Sequence, residues 1–161
     1  MSIFSLVRTY HTDTYPSIDP TSPHLSAKGK NIVITGGSAG IGREIVLFFA
    51  KAGATTISIL ARTEKTLLET KEASEKDYPQ TKIYTYIADI VNGEQVKAAF
   101  EAINSVIGVI DILIANTAYF SAFISITDAD PEDWYHCFDV SVKGNSISST
   151  NSCPLPPQMQ L

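Results

Sequence analysis

One stretch limits what this chain can fold into: Asn31-Ile-Val-Ile-Thr35-Gly36-Gly37-Ser38-Ala39-Gly40-Ile41-Gly42-Arg43-Glu44. The apolar run Ile32 to Ile34 reads as a buried parallel strand; it breaks into a glycine-rich turn, and a helical pattern starts at once. A phosphate needs this layout. Gly36 lets the chain turn tightly out of the strand, and Gly40 lets backbone N–H groups come close to a pyrophosphate. Gly42 lets the new helix pack against the strand, with the positive end of the helix dipole facing the anion. Thr35, Gly36, Ser38, Gly40, Ile41 and Gly42 in this stretch are the candidate cofactor-binding residues. A P-loop would close on Gly-Lys-Ser/Thr, and Gly42-Arg43-Glu44 supplies no such lysine.

The rest of the chain continues the alternation. Ile41, Ile45, Phe48, Phe49 and Ala52 recur at helical spacing, and Gly53 marks that helix's end. Thr56–Ala61 is a second buried strand, and a more charged helix carrying Leu67 and Leu68 ends near Tyr78-Pro79. Lys82–Ile87 makes a third strand. Gly93 opens a helix with an apolar stripe of Val96, Ala99, Phe100, Ile103, Val106 and Ile107, and Val109–Ala115 is a fourth strand. Strands alternating with helices of this length predict right-handed βαβ units. The fold class is α/β: a Rossmann-type doubly wound parallel sheet in three αβα layers, strand order 3-2-1-4, incomplete at its C-terminus. Its ligand crevice belongs at the carboxyl ends, where strands 1 and 4 diverge.

Residues 1–30, with Pro16, Pro20 and Pro23 and no period, are expected to form an irregular N-terminal arm. The domain is expected over 31–144. Pro131 starts a further helix whose buried face is predicted as Trp134, Phe138 and Val142. After Gly144 the apolar pattern stops, so 145–161 is expected to be an irregular tail outside the fold. That tail suggests a truncated, alternatively spliced or frame-shifted product.

Composition excludes several function classes. With 161 residues, 44% hydrophobic and 18% charged, the chain can bury one core. A net charge of −5 gives no pull toward nucleic acid or an anionic membrane surface. Cys137 and Cys153 form no metal-ligand spacing and fit a reducing compartment, with cytoplasm as the default location. No apolar run reaches membrane-spanning length. The first residues are too short in apolar run for a signal peptide, and Asp13 and Asp19 count against a transit peptide.

The spacing T-G-x-x-x-G-x-G resembles the cofactor fingerprint of the short-chain dehydrogenase/reductase family, with Thr35, Gly36, Gly40, Ile41 and Gly42 all matching. The resemblance covers about residues 28–145 and implies an oxidoreductase that reduces a ketone or oxidises a secondary alcohol with a nicotinamide dinucleotide. Asp89, after the third strand, matches the family's aspartate that bonds the adenine amino group, though an Asp before a helix also suits an N-cap. Asn116-Thr117-Ala118 resembles the family's Asn-Ala-Gly element; Asn116 matches, and the next two residues depart. After the second strand stand Ala61 and Arg62, where an acid would take the ribose hydroxyls. A guanidinium there favours a 2′-phosphate, so NADP(H) is expected over NAD(H), unless Arg62 pairs with Glu64 instead. Arg43 is a second cation within reach of the helix start.

The family's catalytic set is where the chain departs. Asp139-Val-Ser-Val-Lys-Gly144 resembles the segment carrying the family's catalytic asparagine, with Ser141 in its place. The family's tyrosine, with a lysine four residues on, has no counterpart. The one Tyr-x-x-x-Lys here, Tyr78 to Lys82, contains a proline and precedes the third strand. His11, His24 and His136 are scattered and read as surface or structural residues. These 161 residues are thus expected to hold the cofactor half of the enzyme without its activity. A small-molecule carbonyl or alcohol substrate and a homo-oligomer belong to the complete protein. The alternative is a non-catalytic dinucleotide-binding or interaction module with no metal.

Overall fold

The computed structural model describes residues 11–153. The start of the arm and the end of the tail lie outside the described residues. Four parallel strands, β1 (Asn31–Thr35), β2 (Thr56–Ala61), β3 (Lys82–Ile87) and β4 (Ile112–Ala115), form one sheet in the order β3-β2-β1-β4, as the alternation predicts. Ile34 stands beside Ile59 on one side and Ile114 on the other.

Side chains alternate across the sheet and so feed two cores. Ile32, Ile34, Ile57, Ile59 and Ile83 point to one layer, where they meet Val46 and Ala50 of α1 (Gly40–Lys51) and Leu67 of α2 (Glu64–Asp77). Val33 and Leu60 point to the other, where α3 (Gly93–Ile107) supplies Val96, Ala99, Phe100 and Ile103. This is the three-layer arrangement. It aims the carboxyl ends of all four strands, and the turns that follow them, at one edge.

Three expectations need correction. On α1 the buried stripe is Gly42, Val46 and Ala50, flanked by Ile45 and Phe49, while Ile41 is 76% exposed and Phe48 41%. The helix rests close on the sheet through its small residues, and its bulkier ones fall to the sides. β4 starts at Ile112 instead of Val109. The carbonyl oxygens of Ile107 and Val109 accept from the Asn31 side chain (2.9 and 3.1 Å), which holds the turn around Gly108 and leaves Val109 in solvent.

Helix α4 (Pro131–Phe138) runs through a π-helical turn, Asp139–Gly144, into α5 (Asn145–Ser152), so residues 145–152 are helical and not an irregular tail. Trp134, Phe138 and Val142 are 40–60% exposed and do not form the buried face. The inward stripe is Asp133, His136, Cys137, Val140, Ser141, Gly144, Asn145 and Ser148, a helical period written in polar and small residues. Counting large apolar side chains misses it. α5 packs on α3 and β4, and Ile147 joins the second core. Upstream, residues 11–30 hold two short 3-10 turns, Pro16–Ile18 and Pro23–Leu25.

Candidate functional site

At the carboxyl edge of the sheet lies a cleft of about 440 Å³. Its floor is the turn from β1 to α1. Gly36 sits at φ +68° and Gly40 at φ +52°, conformations that disfavour any side chain. Gly42 is required for closeness: a Cβ there would run into the Gly36 carbonyl oxygen and lie 2.7 Å from Asn116 Nδ2. The N-terminus of α1 opens toward this floor. Its N-cap, Ala39, offers no side-chain acceptor, whereas Asn92 and Asp130 cap α3 and α4 by accepting from Gln95 N and Glu132 N. The first-turn N–H groups of α1 are thus left for another acceptor.

Thr35 and Asn116 fasten the divergence point. Thr35 Oγ1 accepts from the backbone N–H groups of Asn116 (3.1 Å) and Thr117 (3.2 Å), and Asn116 Nδ2 donates to Thr35 O at 3.2 Å. Ser38 O accepts from Thr70 Oγ1 of α2 at 3.1 Å, which ties the turn to the neighbouring helix. Thr35, Gly36, Ser38, Ile41, Gly42, Arg62, Asp89 and Asn116 all line the cleft; Gly40 and Arg43 do not.

On the β2 side stand Arg62 and Thr63, both exposed. Among the described residues Arg62 makes no ion pair, with Glu64 or any other acid. Thr63 is the N-cap of α2 and makes no side-chain cap bond, and among the described residues its hydroxyl has no hydrogen-bond partner. Asp89, half-buried, closes a local turn by accepting from Val91 N at 3.2 Å. Asn92, not Asp89, caps α3.

On the β4 side the wall contains Tyr119, which carries no sequence signal, and His136, expected to be a surface or structural residue. Their rings meet edge-on, centroids 4.7 Å apart. Tyr119 Oη donates to Asp133 at 2.5 Å, and Asp133 also accepts from Ala122 N at 3.2 Å. These bonds hold the Asp133 carboxyl below the usual carboxylate range and push the Tyr119 hydroxyl above its ordinary value. Ser141 is not a cleft wall; its Oγ accepts from Tyr119 N at 3.3 Å. Only the inward polar stripe of α4 would have pointed to His136, and a single histidine gave no such signal. Tyr78 and Lys82 lie at the opposite end of the sheet, at the C-terminus of α2 and the first residue of β3.

The family model of the short chain dehydrogenases matches residues 30–155. The chain belongs to the short-chain dehydrogenase family. Its similarity to short chain dehydrogenase pigC of Monascus ruber is 35% identity over 98% of this chain and 52% of that protein. Short chain dehydrogenase tazN of Aspergillus terreus is 32% identical over 94% of this chain and 33% of its own length. Among solved structures, L-sorbose reductase from Gluconobacter frateurii, complexed with NADPH and L-sorbose, superposes with a TM-score of 0.71. It is 29% identical and covers 83% of this chain and 48% of that one. The chain thus spans about half the length of the curated relatives it matches, or less. The match to residue 155 takes in α5, which the expected boundary at 144 left out. Members of this family are oxidoreductases that bind NAD(P) and act on small molecules. Among the described residues no helix is long and apolar enough to cross a membrane.

Proposed function

We propose that this chain binds NADP(H) in the cleft and is the cofactor-holding half of an oxidoreductase for ketones and secondary alcohols. The observation that carries the reading is the pair Arg62-Thr63 after β2: an unpaired guanidinium and a free hydroxyl beside the uncapped start of α2, with no carboxylate at the strand's end. That chemistry suits the 2′-phosphate of NADP(H). The glycine floor fits the group as well: lacking side chains, Gly36 and Gly42 pack against the Asn116–Thr117 turn, which leaves the backbone N–H groups at the start of α1 open to a pyrophosphate. Bound there, the dinucleotide supplies or accepts a hydride. The first turn of α1 holds the pyrophosphate, Asp89 accepts from the adenine amino group, and Asn116 keeps β1 and β4 at a fixed separation. The NADPH complex of the similar L-sorbose reductase supports the choice of cofactor.

Catalysis is not expected of these 161 residues. The Tyr119 hydroxyl is committed to Asp133, has no lysine beside it and is raised above its ordinary pKa, the wrong direction for a proton relay. Ser141 faces the Tyr119 backbone and not the cleft. This favours, as a second reading, a module that binds the dinucleotide without turnover. The free thiols Cys137 and Cys153 support a reducing, cytoplasmic setting. Titration of the full chain with NADPH and NADH, followed by cofactor oxidation with added ketones, tests both readings. Binding without oxidation is expected; steady oxidation would move the proton donor onto a residue of this cleft.

A further inference from the structure

The loop after β4, residues 116–119, lines the cleft, yet it contains no secondary structure of its own. Its position is set from the side by the helix that follows. Asn145 Nδ2 donates to Thr117 O at 3.1 Å, across 28 residues of sequence, and to Ser141 O at 2.9 Å. One turn earlier, Ser141 Oγ receives the Tyr119 N–H. The Asn145 carboxamide is fixed by two acceptors, and its own Oδ1 is buried with no partner. An orphaned buried acceptor is a cost that an apolar side chain at this inward position would avoid. It is retained where the amide donors are doing something an apolar side chain cannot.

The backbone around Asn145 is arranged for the same reach. The π-helical turn Asp139–Gly144 lies directly before it, and a Cβ on Gly144 would sit 2.9 Å from Ile90 Cγ2 and 3.1 Å from Ile90 O. The missing side chain lets the helix come down onto the turn after β3, close enough for Asn145 to meet the loop after β4. π-Turns concentrate where a helix is adjusted to a site.

The geometry points to Asn145 as a positioning residue: with Ser141 it clasps Thr117 and Tyr119, and so sets the β4-side wall of the cleft. This rests on the dinucleotide reading. In a doubly wound sheet the adenosine half lies on the β2 side and the other half crosses toward β4, so the clasp acts on the nicotinamide half alone.

The test uses the full chain, Asn145→Leu and Gly144→Ala, with Thr150→Ala on the exposed face of α5 as control. Affinities are measured for NADPH and for 2′,5′-ADP, which lacks the nicotinamide half. Asn145→Leu is expected to weaken NADPH about tenfold and leave 2′,5′-ADP unchanged, with Gly144→Ala following the same pattern. Unchanged NADPH affinity, or parallel loss of both ligands, overturns the assignment. Hydrogen exchange without ligand gives a second readout. The Tyr119 amide should exchange faster in Asn145→Leu than in Thr150→Ala, and equal exchange overturns the clasp whatever the ligand data show. If the parent chain binds neither ligand, the cofactor reading fails, and exchange alone decides the clasp.

Discussion

At the scale of single residues, the cleft depends on absent side chains as much as on present ones. Gly42 packs against the backbone carbonyl of Gly36 and against the Asn116 carboxamide, which is held by its hydrogen bond to Thr35 O. Gly42→Ala should therefore destabilise the fold by about 1–3 kcal/mol in urea unfolding and remove NADPH binding even where the protein remains folded. Asp133 and Tyr119 give a prediction in pH. Asp133 is depressed in the fold, so the stability it adds is present above the ordinary carboxylate pKa and is lost as pH falls through its folded value. Tyr119 is raised, so the contribution of its neutral hydroxyl is present below its ordinary pKa and lost as pH rises through the folded one. The melting-temperature gap between the parent and Tyr119→Phe should be widest at neutral pH. It should narrow below about pH 4 and above about pH 10. A gap independent of pH would show that the bond contributes nothing to stability.

At the scale of elements, β1 to β3 were legible because each is a run of β-branched and apolar residues bounded by turn signals, and α3 because Val96, Phe100 and Ile103 are large and regularly spaced. Phe100, 1% exposed, anchors α3 on Val33 and Leu60, and Phe100→Ala should cost about 3–5 kcal/mol in chemical unfolding. The helix after β4 was only half legible. Its inward side chains meet a loop rich in backbone polar groups, so the facing residues are Asp133, Ser141 and Asn145, and a search for apolar spacing selects the wrong stripe. Farther along, Gly144 and Ser148 keep the period with residues too small to register. Ser148 Oγ is fully buried without a partner. Ser148→Ala should raise stability by about 0.5–1 kcal/mol, read as a higher melting temperature; a loss would mean the hydroxyl is satisfied.

At the scale of the molecule, the sheet brings the ends of four strands to one edge and makes a cleft from residues spread between Thr35 and Val140. The glycine side of that cleft was readable because glycine spacing is a local backbone constraint, set by the turn from β1 to α1. Its β4 side was not, because Tyr119 and His136 meet only after a turn and a helix have folded together. On the function proposed above, the cleft takes NADP(H) and Arg62 selects it. The most direct measurement is parallel titration of the parent chain and Arg62→Asp with NADPH and NADH. The parent should bind NADPH at least about tenfold tighter than NADH, and Arg62→Asp should lose this preference. Equal affinity of the parent for the two cofactors, or a preference that survives in Arg62→Asp, would contradict it.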